Sequence, residues 1–267
     1  MPVWDFTFNG ETASSKNIIV TSIQRPMLPA LRPRKLVIPG KDGAWDFGNN
    51  TYDERIINVV CLMSRPFRIQ EQIRSIAYWL SQKGTIIFSD ETDKYYVGRL
   101  YTELLQEIDG SMGSFVLPFE CEPYAYADQE TYNETYIYDD TWELDTGLLY
   151  PNEATFDWLY FRQSMALYNH SQIPTDIEFK ISGSAAGIKV THVESGCFLD
   201  LQVTISSETV IIDTESYKCE LASGTNLLGD LAAGSDFFKL QPGINSFIFE
   251  GSGPNCTVEY TWKHKFL

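Results

Sequence analysis

The chain has 267 residues, 43% of them apolar and 14% aromatic, with a net charge of −16 at pH 7. That apolar content supports a real core and excludes a disordered chain, and the length suffices for two ordinary domains. The charge is uneven: residues 1–128 sum to −3 and residues 129–267 to −13. An acidic second half would be repelled by a phosphate ladder, which argues against a nucleic-acid binder.

The opening Met-Pro-Val-Trp-Asp-Phe has no basic region and no apolar run, so no secretory signal is expected. No stretch approaches the roughly 20 apolar residues of a spanning helix, so no membrane insertion is expected. The five cysteines (Cys61, Cys121, Cys197, Cys219, Cys256) are odd in number and widely spaced, and read as reduced, mostly buried thiols.

The first segment reads as a strand, Thr21-Ser22-Ile23-Gln24, that runs into prolines at 26, 29, 33 and 39. Each proline removes a backbone donor, so this stretch cannot be a central strand. Val37-Ile38, the Pro39–Gly43 turn and Ala44–Phe47 are expected to form an arm-like hairpin, with Trp45 and Phe47 on its apolar side. Arg68–Lys83 is expected to be a helix, because Ile69, Ile73, Ile76, Ala77 and Leu80 recur at helical spacing. Pro66 would open it, and Gly84 stands where a cap would close it. A hairpin with its loop at Ser89–Asp93 should follow.

In Ser114–Glu122, Phe115, Leu117, Phe119 and Cys121 alternate with more polar residues, which is the period of a half-buried strand. Pro118 on the outward face suggests an edge or bulge. Composition changes near Ala125, where tyrosines mix with acids up to Asp139-Asp140, and a domain boundary is expected between about 125 and 135. Thr141–Ser171 shows neither clean period.

From Thr175 the chain reads as β throughout. Ile177, Phe179 and Ile181 alternate with polar residues, as do Leu199, Leu201, Val203 and Ile205. Val210 and Ile212 precede a turn at Asp213–Ser216, and Tyr217, Cys219 and Leu221 follow it. Phe247 and Phe249, then Val258, Tyr260 and Trp262, complete the set. Short strands split by Gly, Asn and Ser turns suggest a sandwich or jelly roll.

Catalytic chemistry finds little support. The three histidines (170, 192, 264) have no second ligand at metal spacing, and His192 reads as a satisfied histidine on one strand face with Ile188 and Val190. No nucleophile elbow or phosphate loop occurs, and Gly251–Pro254 reads as a turn. The cluster Asp139, Asp140, Glu143 and Asp145 is the most enzyme-like feature, but blocks of like charge usually lie in solvent.

The order of features in the first half, from TSIQRPMLP through PGKDG and a single helix ending Trp79-Leu80 to a hairpin before Lys94-Tyr95-Tyr96, resembles the distal tail proteins (Dit) of long, non-contractile-tailed bacteriophages. The run Asp236–Asn245, then Phe247-Ile248-Phe249, Gly251-Ser252 and Val258–Trp262, is similar to the end of that family's C-terminal domain. The resemblance implies a mainly β chain. Residues 1–130 would form a ring-building, β-sandwich-like belt domain with one helix and a projecting hairpin, and residues 131–267 a galectin-like or jelly-roll sandwich.

It further implies a structural virion protein, made in the host bacterial cytoplasm and placed at the tail tip. It would be a homo-oligomer, a hexameric ring with a channel that DNA passes without specific binding. Its partners would be the tail tube, tape measure and hub proteins and the receptor-binding or baseplate components. No catalytic residue, metal or cofactor is implied, and Val37, Ile38, Trp45 and Phe47 are the expected ring-interface residues. The competing reading is a carbohydrate-binding module or glycosidase, with Trp142, Trp158 or Trp262 as a sugar platform.

Overall fold

The computed structural model describes residues 4–48, 51–64, 69–103, 107–109, 112–127, 129–132, 135–138, 142–145, 148–151 and 153–267. The chain is mainly β, with one α-helix among the described residues, and divides into two compact units: residues 1–126 with Leu267, and residues 127–266.

The first unit holds β1 (Phe6–Phe8), β2 (Glu11–Thr12), β3 (Ile18–Gln24), β4 (Lys35–Leu36), β5 (Trp45–Asp46), β6 (Arg55–Ser64), α1 (Ile69–Trp79), β7 (Gly84–Phe88), β8 (Glu91–Leu100), β9 (Glu107–Asp109) and β10 (Met112–Cys121), and β11 (Ala125–Ala127) straddles the division. Its main sheet runs β2-β1-β7-β8-β10-β6-β3, and every pairing in it is antiparallel. The inward residues form the core: Phe6, Phe8, Ile57, Val59, Cys61, Ile86, Phe88, Leu117 and Phe119 are all buried. The alternation in β10 is as its sequence suggests for Leu117, Phe119 and Cys121, while Phe115 is only half-buried.

Pro118 lies inside β10, paired through its whole length with β6. On its other side β10 meets β9 at Met112–Ser114 and β8 at Phe119–Cys121. Among the described residues, Phe115–Pro118 therefore has no ladder partner on that side, and proline's missing donor is tolerated at this local edge.

The helix is shorter than its apolar period predicts. It ends at Trp79, where the Ser81 backbone N–H and hydroxyl both donate to the Tyr78 carbonyl, at 3.3 and 2.8 Å. These bonds satisfy a carbonyl that the helix end would otherwise leave open. Gly84 is not the cap but the first residue of β7. A Cβ there would lie 2.1 Å from the Asn9 side chain, so glycine serves close approach. Ile76 and Leu80 are buried, whereas Ala77 is exposed.

Trp79, not Ala77, completes the packed stripe. It stacks on Phe6 at 5.8 Å, meets Phe8 edge-on at 5.8 Å, and donates its indole N–H to the Phe8 carbonyl at 3.1 Å. Pro66 and Arg68 lie outside the described residues. The β7–β8 turn is tighter than expected, at Ser89-Asp90, with Glu91–Asp93 already in β8.

The second unit begins with β12 (Gln129–Tyr132), β13 (Thr135–Tyr138), β14 (Trp142–Asp145) and β15 (Leu148–Pro151), which form two small sheets, β12-β15 and β13-β14. Then come β16 (Glu153–Trp158), β17 (Arg162–Asn169), β18 (Ile177–His192), β19 (Phe198–Asp213), β20 (Lys218–Leu221) and β21 (Gly243–Trp262). The described residues of the stretch from 141 to 171, without clear period in the sequence, are thus largely strand.

β21 is the organiser. Its first part pairs with β17 and its last part with β16, while β18 runs beside both. Register shifts interrupt the β18–β21 ladder between Ser184 and Lys189. Gly251–Pro254 is therefore not a turn between strands but an irregular bend inside β21. Such bulges kink a strand and let a long sheet curl over its own core. Phe179, Phe247, Phe249, Trp158, Val258 and Leu240 are buried within one continuous apolar cluster there. Tyr217, expected on an inward strand face, is instead exposed in the β19–β20 turn, with a left-handed φ of 54°.

Candidate assembly interface

The feature of the first unit that its core does not explain is the ribbon between Ala30 and Asp53. It is held at its base by an isolated bridge between Leu31 and Tyr52 and by backbone bonds from Arg32 to Thr51 and from Asp53 to Ala30, at 2.8 and 2.7 Å. Further out, β4 and β5 pair Lys35 with Asp46 and Leu36 with Trp45. Gly40 and Gly43 take φ of 83° and 79° in the turn, values that glycine adopts without strain. The prolines keep this pair out of the main sheet, so it stands as a two-stranded sheet of its own.

Every residue from 30 to 48 is exposed. The structure sets Val37, Ile38, Trp45 and Phe47 on this ribbon, with Val37 72% and Phe47 54% accessible. Trp45 and Phe47 pack only loosely on each other, with centroids 6.3 Å apart, and the Lys41 ammonium sits 4.0 Å from the Trp45 ring centroid. Leu31 and Leu36 on the ribbon, and Met27 and Leu28 before it, are also exposed large apolar residues that the sequence reading passed over. The available signal was a run of apolar residues between prolines with no strand or helix period to bury them.

Exposing so many large side chains is unfavourable. Full burial of each is worth about 1.5–3 kcal/mol, and contiguous apolar patches of this kind mark interaction sites. The ribbon is also electrostatically distinct. Arg32, Arg34, Lys35 and Lys41 outnumber Asp42 and Asp46, so residues 30–48 carry +2 in a chain of −16. Arg32 donates to Asp53 at 2.6 Å, and Asp46 accepts from the backbone N–H of Arg34 and Gly48. Those two backbone bonds, above all, hold the Asp46 carboxyl below its usual range.

The remaining chemical candidates resolve into structure. His192 is fully buried between the rings of Phe238 and Phe247; its Nδ1 lies 2.8 Å from Ser195 Oγ and its Nε2 3.0 Å from Asn245 Oδ1. Trp158 and Trp262 are buried and present no platform to a sugar, and the side chain of Trp142 lies outside the described residues. Asp139 and Asp140 lie outside the described residues, as do the side chains of Glu143 and Asp145 in β14. Cys61, Cys121, Cys219 and Cys256 are buried free thiols, and Cys197 is a partly exposed one. Burial pushes the Cys61 and Cys121 thiols up to about 12. Among the described residues no group of three or more His, Cys, Asp or Glu could hold a metal ion.

One exposed feature of the second unit had no sequence reading. Leu159, Tyr160 and Phe161 form an exposed turn between β16 and β17. It is fixed from beneath by the Trp158 indole N–H, which donates to the Tyr160 carbonyl at 2.9 Å, and by the Gly251 N–H, which donates to the Phe161 carbonyl at 3.0 Å.

Comparison with known proteins agrees with this architecture in both units. Residues 10–121 match the phage tail protein RIFT-related domain, and residues 170–264 match the C-terminal domain of siphovirus-type tail components. The fold is that of the Dit protein (gp 19.1) of phage SPP1, with a TM-score of 0.72 and 18% identity, over 99% of this chain and 100% of that one. That protein's crystal structure is described as a paradigm of the hub adsorption apparatus in phages infecting Gram-positive bacteria. No curated protein sequence matches the chain. The chain belongs to the siphovirus-type tail components, and within them to the distal tail (Dit) family. It is a structural protein of the virion tail, and its family and fold are those of structural tail proteins, not of known enzymes.

Proposed function

We propose that the chain forms a hexameric ring at the distal end of the tail, joining the tail tube to the hub and host-recognition apparatus. The observation that carries this reading is the ribbon from Ala30 to Gly48, solvent-exposed throughout and rich in large apolar side chains. In a tail component such a surface has an obvious use, because each subunit can bury it on the next. A head-to-tail contact of this kind closes into a ring when its rotation divides the circle, and otherwise grows into a filament.

In this reading residues 1 to about 130 build the ring around a DNA channel. Residues 131–267 are attachment points, and the Leu159–Phe161 turn is one surface that could take a partner. The neighbours are the tail tube, tape measure and hub proteins and the receptor-binding or baseplate components, and the subunit is made in the host cytoplasm before assembly. The function is geometric and uses no cofactor. The mass of the purified chain tests it: a particle of six times 30.4 kDa supports the ring, and a monomer at every concentration rejects it.

A further inference from the structure

Arg55 opens β6 on the face that the core uses, and stands across the β6–β10 ladder from Cys121. It follows Tyr52, whose bridge to Leu31 ties down the base of the ribbon, by three residues. Arg55 is 3% exposed, and Ile57 and Cys121 on the same face are fully buried.

A guanidinium at this depth ordinarily has a carboxylate partner, because an unpaired charge is costly to bury. Among the described residues Arg55 has none: its Nε and Nη2 are enclosed and make no hydrogen bond. The carboxylates of this region are committed elsewhere. Asp53 takes Arg32, Asp90 and Glu91 take Arg25, and Glu122 takes Lys83. Glu54 is exposed, and Glu120 pairs with Ile56 on the opposite face of the sheet.

The contact that Arg55 does make is weak. Its Cζ lies 5.8 Å from the Tyr96 ring centroid, close to the limit of about 6 Å for a cation over an aromatic ring. Burial raises the Tyr96 hydroxyl above its ordinary pKa, and the charges of Arg25 and Arg55 pull against this. Of those two cations, Arg25 is neutralised by its own acids and Arg55 is not. The two unpartnered nitrogens also belong together. Nε and Nη2 form one edge of the guanidinium with parallel N–H bonds, a fork that matches two oxygens of a single carboxylate or phosphate.

We propose that Arg55 is the centre of an anion site in the first unit, and that this edge holds a small oxyanion, a phosphate or a carboxylate, side-on beside the base of the ribbon. The paired geometry favours two oxygens of one group over a spherical halide. The burial of both nitrogens argues against a bulky ligand such as a nucleic-acid backbone. The site does not depend on ring formation.

Thermal unfolding of the full chain at pH 7 tests this, with sodium chloride exchanged for sodium phosphate or sodium acetate at constant ionic strength. Wild type should gain a saturable rise in melting temperature, about 5 °C at a hundredfold excess over the dissociation constant, in one or both salts. A response to phosphate assigns the oxygens to inorganic phosphate, and a response to acetate assigns them to a carboxylate. Phosphate also stabilises proteins generally, through exclusion from their surface. Arg55→Met should keep that general effect and lose the saturable one. Arg55→Lys keeps the charge but not the fork, and in calorimetric titration should bind the active anion at least about tenfold more weakly than wild type. If the methionine variant does not fold, the titration of wild type against Arg55→Lys decides. No saturable response of wild type to either anion, an equal response in Arg55→Met, or an undiminished affinity in Arg55→Lys would overturn the proposal.

Discussion

Phe179 and Phe247 meet edge to face with centroids 5.3 Å apart, although the ladders assign them to different ends of the sheet. Phe179 pairs across with Tyr260, while Phe247 pairs with His192, thirteen residues further along β18. Their contact is possible only because β18 and β21 bend between them. Gly183 is part of that bend: its φ is 138°, and a Cβ there would lie 2.2 Å from the Asn255 carbonyl oxygen.

Two substitutions therefore probe the curl of the second unit by different routes. Phe179→Ala should cost about 3–5 kcal/mol through lost burial and the cavity it leaves. Gly183→Ala should be strongly destabilising as well, though it removes no apolar surface, because backbone atoms must move to admit the methyl. Thermal or denaturant unfolding of the two variants checks both. A neutral Gly183→Ala would mean that the bend is set by something other than this close approach.

The residues that bury themselves by simple alternation were legible in the sequence. Ile177, Phe179 and Ile181, or Leu117, Phe119 and Cys121, face inward as a two-residue period requires. The helix was legible in place but not in extent, because Ser81 ends it through a local hydrogen bond that hydropathy does not register. Gly84 and Gly251–Pro254 misled for one reason: glycine marks a turn, a cap and a close approach alike, and only the neighbours distinguish them. The ribbon was legible through its prolines, which forbid a central strand.

Trp45 and Phe47 should contribute to assembly without contributing to the fold. Both are more than half exposed and neither lies in the core. Trp45→Ser/Phe47→Ser should leave subunit stability within about 0.5 kcal/mol, as surface changes usually do, while shifting the particle mass toward the monomer. Unchanged rings from the folded variant would remove the ribbon from the interface, and an unfolded variant would show that the two rings support their own unit.

The Lys239–Asp176–Lys265 cluster predicts a pH dependence. Asp176 is nearly buried, and its carboxylate meets Lys265 at 2.7 Å and Lys239 at 3.1 Å. Burial alone would raise its pKa, but the two ammonium groups outweigh that and hold it below the ordinary carboxylate value. A depressed folded-state pKa gives stability that is present above the unfolded value, near 4, and is lost as the pH falls through the folded one. Asp176→Asn should thus cost up to about 3 kcal/mol at pH 7, since it strands the mostly buried Lys265. The gap from wild type should narrow below about pH 4. Melting temperatures of both proteins between pH 7 and pH 2.5 test this, and a gap independent of pH would refute it.

The cysteines should differ sharply in reactivity. Cys61 and Cys121 are buried and their thiols raised to about 12, so almost no thiolate forms near neutrality. Iodoacetamide at pH 8 should label Cys197, the one partly exposed thiol, well before the other four. Mass mapping of the modified peptides shows the order, and prompt labelling of Cys61 or Cys121 in the native protein would contradict the packing of the first unit.

A channel that gripped phosphates would stall the molecule passing through it, so the ring should bind duplex weakly. The chain's −16 favours this, but Arg25, Arg32, Arg34 and Lys35 lie close together in sequence and could form a basic patch. The structure divides them. Arg25 is paired with Asp90 and Glu91 and lies over Phe88, and Arg32 is paired with Asp53. Arg34 and Lys35 lie on the exposed ribbon, Lys35 across the ladder from Asp46. Full-length protein should therefore show little duplex affinity at 50 mM salt, and replacing all four residues by alanine should change that affinity little while weakening assembly. Tight, salt-sensitive duplex binding that the fourfold variant abolishes would assign these cations to the channel, not to the subunit contact.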